Sequence, residues 1–382
     1  MDKFIPLSVP NFIGNEKAYV DDALDAGWVS TGGALIEKFE KNIAAYCGVK
    51  YAVAVQSGTA GLHLACKEAG VSAGDEVIVP TLTFIAAINP VVYCNANPVF
   101  MDCDDSLCID VSKVKAFCKN ECEFINGKLI NKKTKSHVKA IIAVHIFGNM
   151  CDMEQIMNLA SAYNLKVIED ATEALGSYYI AGKFKDKFAG TIGDIGVFSF
   201  NGNKIITTGG GGMLVTNNEQ SAKHLKYLST QAKDDELYFI HNEIGYNYRM
   251  TNLQAALGVA QLEMLEEFIK IKKRNHEKYI SLGLNLLPFL KTIRPNYWFY
   301  SLMTRSRDGI IRFLNDQKIQ ARPIWTLIHT LAPYQSMQSY RIEKATYYYE
   351  NIVNVPCSSN LTFEEVEKVS DKVKEYEKNA AN

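Results

Sequence analysis

The chain has 382 residues, 47% of them hydrophobic, and a formal net charge of −1. That length exceeds one ordinary core and suits a two-domain protein whose larger part buries a sheet on both faces. Balanced charge, no long basic block and no apolar run of roughly 18 residues argue against nucleic acid and membrane as partners and for a small ligand.

Nine scattered cysteines, an odd number, form no disulfide framework, and the opening Met1-Asp2-Lys3-Phe4-Ile5-Pro6 lacks a signal pattern. The expectation is a reducing, cytoplasmic setting. Cys118 and Cys122 have no second Cys/His pair at a ligand spacing, so no metal site is expected.

In chain order, Gly27-Trp28-Val29-Ser30-Thr31-Gly32-Gly33 reads as a turn leading into an amphipathic helix over 35–47. Residues 51–55 form a strand, and Gln56-Ser57-Gly58-Thr59-Ala60 converts it to a helix over 61–68. Backbone N–H groups and hydroxyls at such a helix start are suited to a phosphate. A second buried strand over 75–80 runs into Thr81-Leu82-Thr83-Phe84-Ile85, followed by a helical stretch over 86–93 interrupted by Pro90. Strands over 98–102 and 140–147 follow, with a helix and a hairpin predicted between them over 110–139. Residues 165–170 make the fifth strand and carry Asp170 to its end, where a carboxylate is either a helix cap or a paired functional acid.

The sixth strand, over 193–200, delivers Ser199 and then Asn201-Gly202-Asn203-Lys204 before the glycines 209–212 and a return strand over 212–216. A lysine between an apolar strand and a flexible turn lies near buried surface, where desolvation favours the neutral, nucleophilic amine needed for a Schiff base. Beyond residue 217 come a helix over 219–231, an aromatic-rich loop, a long helix from 252 into the 270s, and a mixture of strands (297–304, 320–325, 354–357) and helices (309–317, 363–378). The reading is an α/β chain with a large domain over 1–251, built on a mostly parallel sheet, and a smaller α+β domain over 252–382. Ligands of such sheets lie beyond the carboxyl ends of the strands.

Those ends gather a phosphate turn at Ser57-Gly58-Thr59, an aromatic face at Phe84, an acid at Asp170 and an amine at Lys204. Pyridoxal 5'-phosphate requires these four features: an anion cradle, a stacking surface, an acid that keeps the ring nitrogen protonated, and a lysine for the aldehyde. A phosphate-loop ATPase is not supported, because no Gly-Lys-Ser/Thr follows the glycines.

The chain resembles the DegT/DnrJ/EryC1/StrS family of sugar aminotransferases over nearly its whole length. The matching segments include Gly27-Trp28-Val29-Ser30-Thr31-Gly32, Ser57-Gly58-Thr59, Val144-His145-Ile146-Phe147-Gly148, Glu169-Asp170-Ala171, Ser199-Phe200 with Lys204, Gly245-Tyr246-Asn247-Tyr248-Arg249-Met250 and Ile328-His329. The resemblance implies a pyridoxal phosphate-dependent transferase of fold type I, aspartate aminotransferase-like. By the same resemblance, Lys204 holds the cofactor's aldehyde and shuttles protons, Asp170 partners the ring nitrogen, Ser57, Gly58, Thr59 and Ser199 serve the phosphate, and Phe84 stacks on the ring. Asn247 is expected to reach the neighbouring subunit's cofactor, which implies a homodimer with shared sites. Glu173 departs from the family's usual glutamine; a second negative charge near the ring hydroxyl implies that it is protonated or points elsewhere.

Sugar 3-dehydratases of the family carry histidine in place of the lysine, so Lys204 points to transamination, with L-glutamate as amino donor and a nucleotide-linked keto sugar as acceptor. Ser30, Thr31, Arg322 and His329 are expected to face that sugar nucleotide. Stretches 27–32 and 319–329 look most like members acting on UDP-linked 2-acetamido-4-keto-6-deoxy sugars in nonulosonic acid and surface-glycan synthesis. GDP-linked 4-keto-6-deoxymannose is the competing substrate, and a non-catalytic, cofactor-binding regulator is the alternative from another class.

Overall fold

The computed structural model describes residues 3–235 and 237–381, so the first two residues of the opening stretch lie outside it. Its main sheet runs in the order Tyr51–Val55, Gly212–Thr216, Ile195–Ser199, Lys166–Asp170, His137–Val144, Glu76–Pro80, Asn97–Met101 and Ser339–Tyr340. From Ile195–Ser199 onward neighbours are parallel. Glu76–Pro80 is buried at every position, as expected of a strand covered on both faces. The hairpin expected within 110–139 is Cys122–Ile125 with Lys128–Asn131, after the helix Val111–Asn120.

Gly212–Thr216 is antiparallel to both its neighbours. Two reversals restore the original direction, so Val55 and Ser199 both lie opposite Gly212, at one edge of the sheet. The turn after Val55 and the loop after Ser199 are therefore neighbours in space although far apart in sequence. Gly212 is required there: a Cβ would stand 2.6 Å from the Ser57 carbonyl carbon. Asp170 reaches the same edge, in register with Val144 and Val197.

The stretch expected to be helical over 86–93 is divided into a 3-10 turn, Ile85–Ala87, and a helix, Asn89–Tyr93. Pro90 stands in the first turn of that helix, where its missing N–H is no loss. The helix Asn252–Ser281 starts at a capping box in which Thr251 and Gln254 bond each other's backbone. After it, the strands Tyr300–Met303, Ile352–Val355 and Arg322–Pro323 form a second, antiparallel sheet. The first and last of these are shorter than the runs expected over 297–304 and 320–325, and Ile352–Val355 begins two residues before the run expected over 354–357; Tyr297, with a left-handed φ of 56°, lies outside the ladder.

Several connections tie this part to the rest. Ser339–Tyr340 joins the edge of the main sheet beside Phe100–Met101. At the other end of the chain, Ile5 N–H donates to the Lys318 carbonyl (2.9 Å) and Cys357 N–H to the Leu7 carbonyl (2.8 Å). The N-terminal segment thereby crosses the C-terminal residues before the main sheet begins. Among the described residues no helix is long and apolar enough to cross a membrane.

Candidate active site

A cavity of about 580 Å³ opens at the carboxyl edge of the main sheet. One wall is the start of the helix Gly58–Glu68, capped by Ser57, whose Oγ accepts the Ala60 N–H at 3.0 Å. Gly58 lets this turn lie close to the neighbouring strand end: a Cβ would come 2.9 Å from Ser199 Cβ and 3.1 Å from Thr172 Cγ2. Thr59 and Ser199 add hydroxyls to the same wall. The result is a small, polar, positively polarised recess suited to an anion.

The amine comes from the loop after Ile195–Ser199. Thr208 N–H returns to the Phe200 carbonyl (2.9 Å) and Lys204 N–H to that of Asn201 (3.0 Å), which closes the loop and turns Lys204 inward. Its Nζ lies 4.1 Å from the centroid of the Trp298 ring and 3.9 Å from Glu173 Oε1. Trp298 is fixed in turn by its indole N–H, which donates to the Asn203 carbonyl at 2.7 Å. Burial lowers the lysine's pKa, while Glu173 and Asp170 oppose the shift.

Asp170 is only 2% exposed, and Oδ1 accepts the Thr172 N–H at 3.0 Å. Burial raises its pKa, against the pull of Thr172, Lys204 and His145. One residue earlier on the strand, Glu169 accepts the N–H groups of Gly190 (2.9 Å), Ile192 (2.6 Å) and Gly193. It also meets His145 Nε2 at 2.9 Å. Because His145 Nδ1 accepts the Cys151 N–H, the ring proton is on Nε2 and points to Glu169. His145 N–H donates to the Asp170 carbonyl (3.0 Å), so this buried pair braces the backbone that presents the acid.

Glu173 points into the cavity. Its Oε2 accepts the Phe147 N–H at 2.9 Å, and burial raises its pKa.

Of the residues singled out in the sequence, Ser57, Gly58, Thr59, Phe84, Asp170 and Glu173 line this cavity, as do Ser199, Lys204 and Arg322. Phe84 is 52% exposed and its ring tilts toward Trp325, 6.2 Å away. Ser30, Thr31, Asn247 and His329 do not line it. Ser30 is exposed, with its carbonyl accepting the Asn252 N–H. His329 Nδ1 is bonded to Thr81 Oγ1 at 2.6 Å, which turns its ring toward Phe100. Asn247 is exposed on this chain, its Oδ1 within 3.4 Å of Arg249 Nη2.

Sequence reasoning missed Trp298 and Asn354, both of which line the cavity, as does Trp325, which belongs to the 322–329 segment expected to face the sugar nucleotide. Trp298 and Asn354 had been absorbed into predicted strands, and an aromatic or amide in a strand carries no local signal that it faces a ligand.

Residues 11–374 match the family model described as the DegT/DnrJ/EryC1/StrS aminotransferase family. The chain is 39% identical to a GDP-perosamine synthase of Escherichia coli O157:H7 over 381 residues, covering 98% of this chain and 99% of the relative. It is 38% identical to a GDP-perosamine synthase of Caulobacter vibrioides over 377 residues, 96% of each chain. Among solved structures, Helicobacter pylori PseC, an aminotransferase of pseudoaminic acid biosynthesis, shares the fold with a TM-score of 0.87 at 24% identity, covering 98% of this chain and 99% of that one.

Proposed function

Because the chain belongs to the DegT/DnrJ/EryC1/StrS aminotransferase family and is a sugar-nucleotide aminotransferase dependent on pyridoxal phosphate, we propose that it moves an amino group from L-glutamate to GDP-linked 4-keto-6-deoxymannose. The UDP-linked 2-acetamido sugar favoured by the sequence reading gives way here. Near full-length identity of 37–39% to three proteins named GDP-perosamine synthase favours the GDP-linked acceptor instead. The short stretches 27–32 and 319–329 on which the UDP reading rested are too few residues to outweigh that.

The residues present fit the cofactor. The glycine-lined recess at Gly58, with the hydroxyls of Thr59 and Ser199, would take the phosphate, and the buried Asp170 carboxylate would take the ring nitrogen. Phe84 offers a ring face and Lys204 the amine. When bound, pyridoxal phosphate supplies an electron-accepting ring that carries the amino group between donor and acceptor.

The chain's own residues then have distinct tasks. Burial makes the Lys204 ammonium easier to deprotonate, so that its amine can accept and return a proton at the reacting carbon. The Trp298 ring and the Asn203 carbonyl fix where that amine can reach. Asp170, its backbone braced by His145 and Glu169, would present its carboxyl group to the ring nitrogen, whose positive charge would favour the ionised form against burial. Among the described residues Arg322 is the one cation besides Lys204 on the lining, and it is exposed, so it could meet an anionic nucleotide or a donor carboxylate.

A homodimer with shared sites is part of the proposal, supported by the exposed Asn247 outside its own chain's cavity. A cytoplasmic setting is supported by nine free, buried thiols. The observation that carries the reading is the convergence of Lys204, Asp170 and the Gly58 recess on one cavity. The test is to load the enzyme with amino groups from glutamate and offer GDP-, UDP- and dTDP-linked 4-keto-6-deoxy sugars, following loss of the amino-form absorbance. The GDP-linked sugar should react with the highest kcat/KM; faster consumption of a UDP-linked sugar would overturn the choice of nucleotide.

A further inference from the structure

Glu173, where the family resemblance implies a neutral amide, is an ionisable group buried in the wall of the cavity. Its side chain is 3% exposed, and among the described residues it is the carboxylate within ion-pair reach of Lys204, at 3.9 Å. The other oxygen is held by the N–H of Phe147, which adopts a left-handed φ of 56°. A bulky residue in that conformation is costly, so the backbone here is held by its surroundings in a form that aims one donor at Glu173.

The charges facing this point are few. Lys204 contributes the cation, Asp170 a second carboxylate, and Trp298 a neutral ring; His145 and Glu169 pair with each other behind Asp170. As long as Lys204 is an ammonium, both carboxylates can stay ionised. Once its nitrogen is neutral, two like charges face each other in a water-poor wall, and one must take a proton. Asp170 is the worse recipient, because in the proposed function it must stay ionised for the ring nitrogen.

We propose that Glu173 is the proton store of Lys204: it takes the proton that the ammonium must shed before its nitrogen can attack a carbonyl carbon, and returns it when the amine is set free. The –NH3+ and –COO− of the pair become –NH2 and –COOH. The neutral amine and an aldehyde then form one carbon–nitrogen double bond and one water, and no proton need cross to solvent. Burial works in the same direction on both partners, raising the carboxyl and lowering the amine, so that the two forms of the pair approach each other in energy. A glutamine could hydrogen-bond at this position but could store nothing.

The inference rests on the proposed role of Lys204, and the experiment separates the two. Infrared difference spectra are recorded between cofactor-free protein and protein loaded with pyridoxal phosphate, in water and in deuterium oxide, with visible absorbance followed on the same samples. Loading should bring up the carbonyl stretch of a protonated carboxylic acid, shifted in deuterium oxide. Glu173→Gln should lose that band while still developing the visible absorbance. In Lys204→Ala the cation is gone, so the band should appear in the difference between this variant and the wild type, both free of cofactor; this and the wild-type spectrum stand even if the glutamine variant folds poorly. Visible absorbance without a carboxylic acid band, or a band that survives Glu173→Gln, would overturn the proton store. If the wild type develops no visible absorbance at all, the role of Lys204 fails, and the store fails with it.

Discussion

Two lysines of this chain are buried beside an aromatic ring with a depressed pKa, and they do different things. Lys204 lies 4.1 Å from the Trp298 ring centroid, and Lys272, on the long Asn252–Ser281 helix, lies 5.5 Å from that of Tyr300. Burial is the leading cause of the downward shift in both. Around Lys204 the lining is open to ligand and carries Asp170 and Glu173. Lys272 bonds the Cys357 carbonyl, and among the described residues no carboxylate pairs with it. The neighbouring Asn275 and His276 are buried with it. Desolvation alone therefore yields a reluctant base; access and a carboxylate to trade protons with are what make an amine useful for chemistry.

The contrast can be broken most directly by exchanging the outcomes. Lys204→Ala should cut kcat for amino transfer by at least about a thousandfold, whereas Lys272→Met should leave turnover intact; comparable losses in both would show that burial, not access, is the determinant. Asp170→Asn keeps shape but removes the charge opposite the ring nitrogen. It should lower kcat by roughly 10²–10⁴ with cofactor still bound, as read by steady-state rates alongside the visible spectrum. Gly58→Ala crowds Ser199 and Thr172 at the recess. Overpacking should lower stability by about 1–3 kcal/mol, and the methyl group narrowing the recess should weaken cofactor retention roughly tenfold, measurable by equilibrium titration.

The smallest effect concerns the sealed lysine and sharpens the comparison by pH. Its pKa in the fold lies below the ordinary value of about 10.4. Between those two values the unfolded chain binds a proton that the folded chain does not, so stability rises with pH. This group's contribution is complete above about pH 10.4 and is lost as pH falls toward the folded value, by up to about 1.4 kcal/mol per pH unit. Lys272→Met lacks that slope. Urea unfolding should show the variant gaining on the wild type as pH is lowered through that window; parallel pH profiles would mean that Lys272 keeps its charge in the fold.

Much of this was legible in the order of residues. The strands over 51–55, 75–80 and 165–170 are short apolar runs bounded by turn residues, and such patterns depend on neighbours in sequence. For the same reason Ser57-Gly58-Thr59, Asp170 and Lys204 could be placed at strand ends before any coordinates. Beyond Arg322 and Trp325, the C-terminal contribution was not legible. Trp298 and Asn354 face the cavity only because the second sheet, the N-terminal segment and the Asn201–Lys204 loop pack there together. His329 shows the converse: a residue expected to face the substrate is turned away by a bond to Thr81, which lies 248 positions earlier.

By itself the sequence determined the alternation of strands and helices, the chemical kinds of group at the strand ends, and through its motifs the family. Tertiary structure alone decided which of those groups meet. It set Val55 and Ser199 on one edge by two antiparallel steps, and brought Trp298 within 4.1 Å of Lys204. It also turned Glu173 toward the lysine instead of away. The physical reason is range: backbone preference and hydrophobic period act over a few residues, whereas desolvation and charge pairing depend on distances in space, which exist only once the chain has closed on itself.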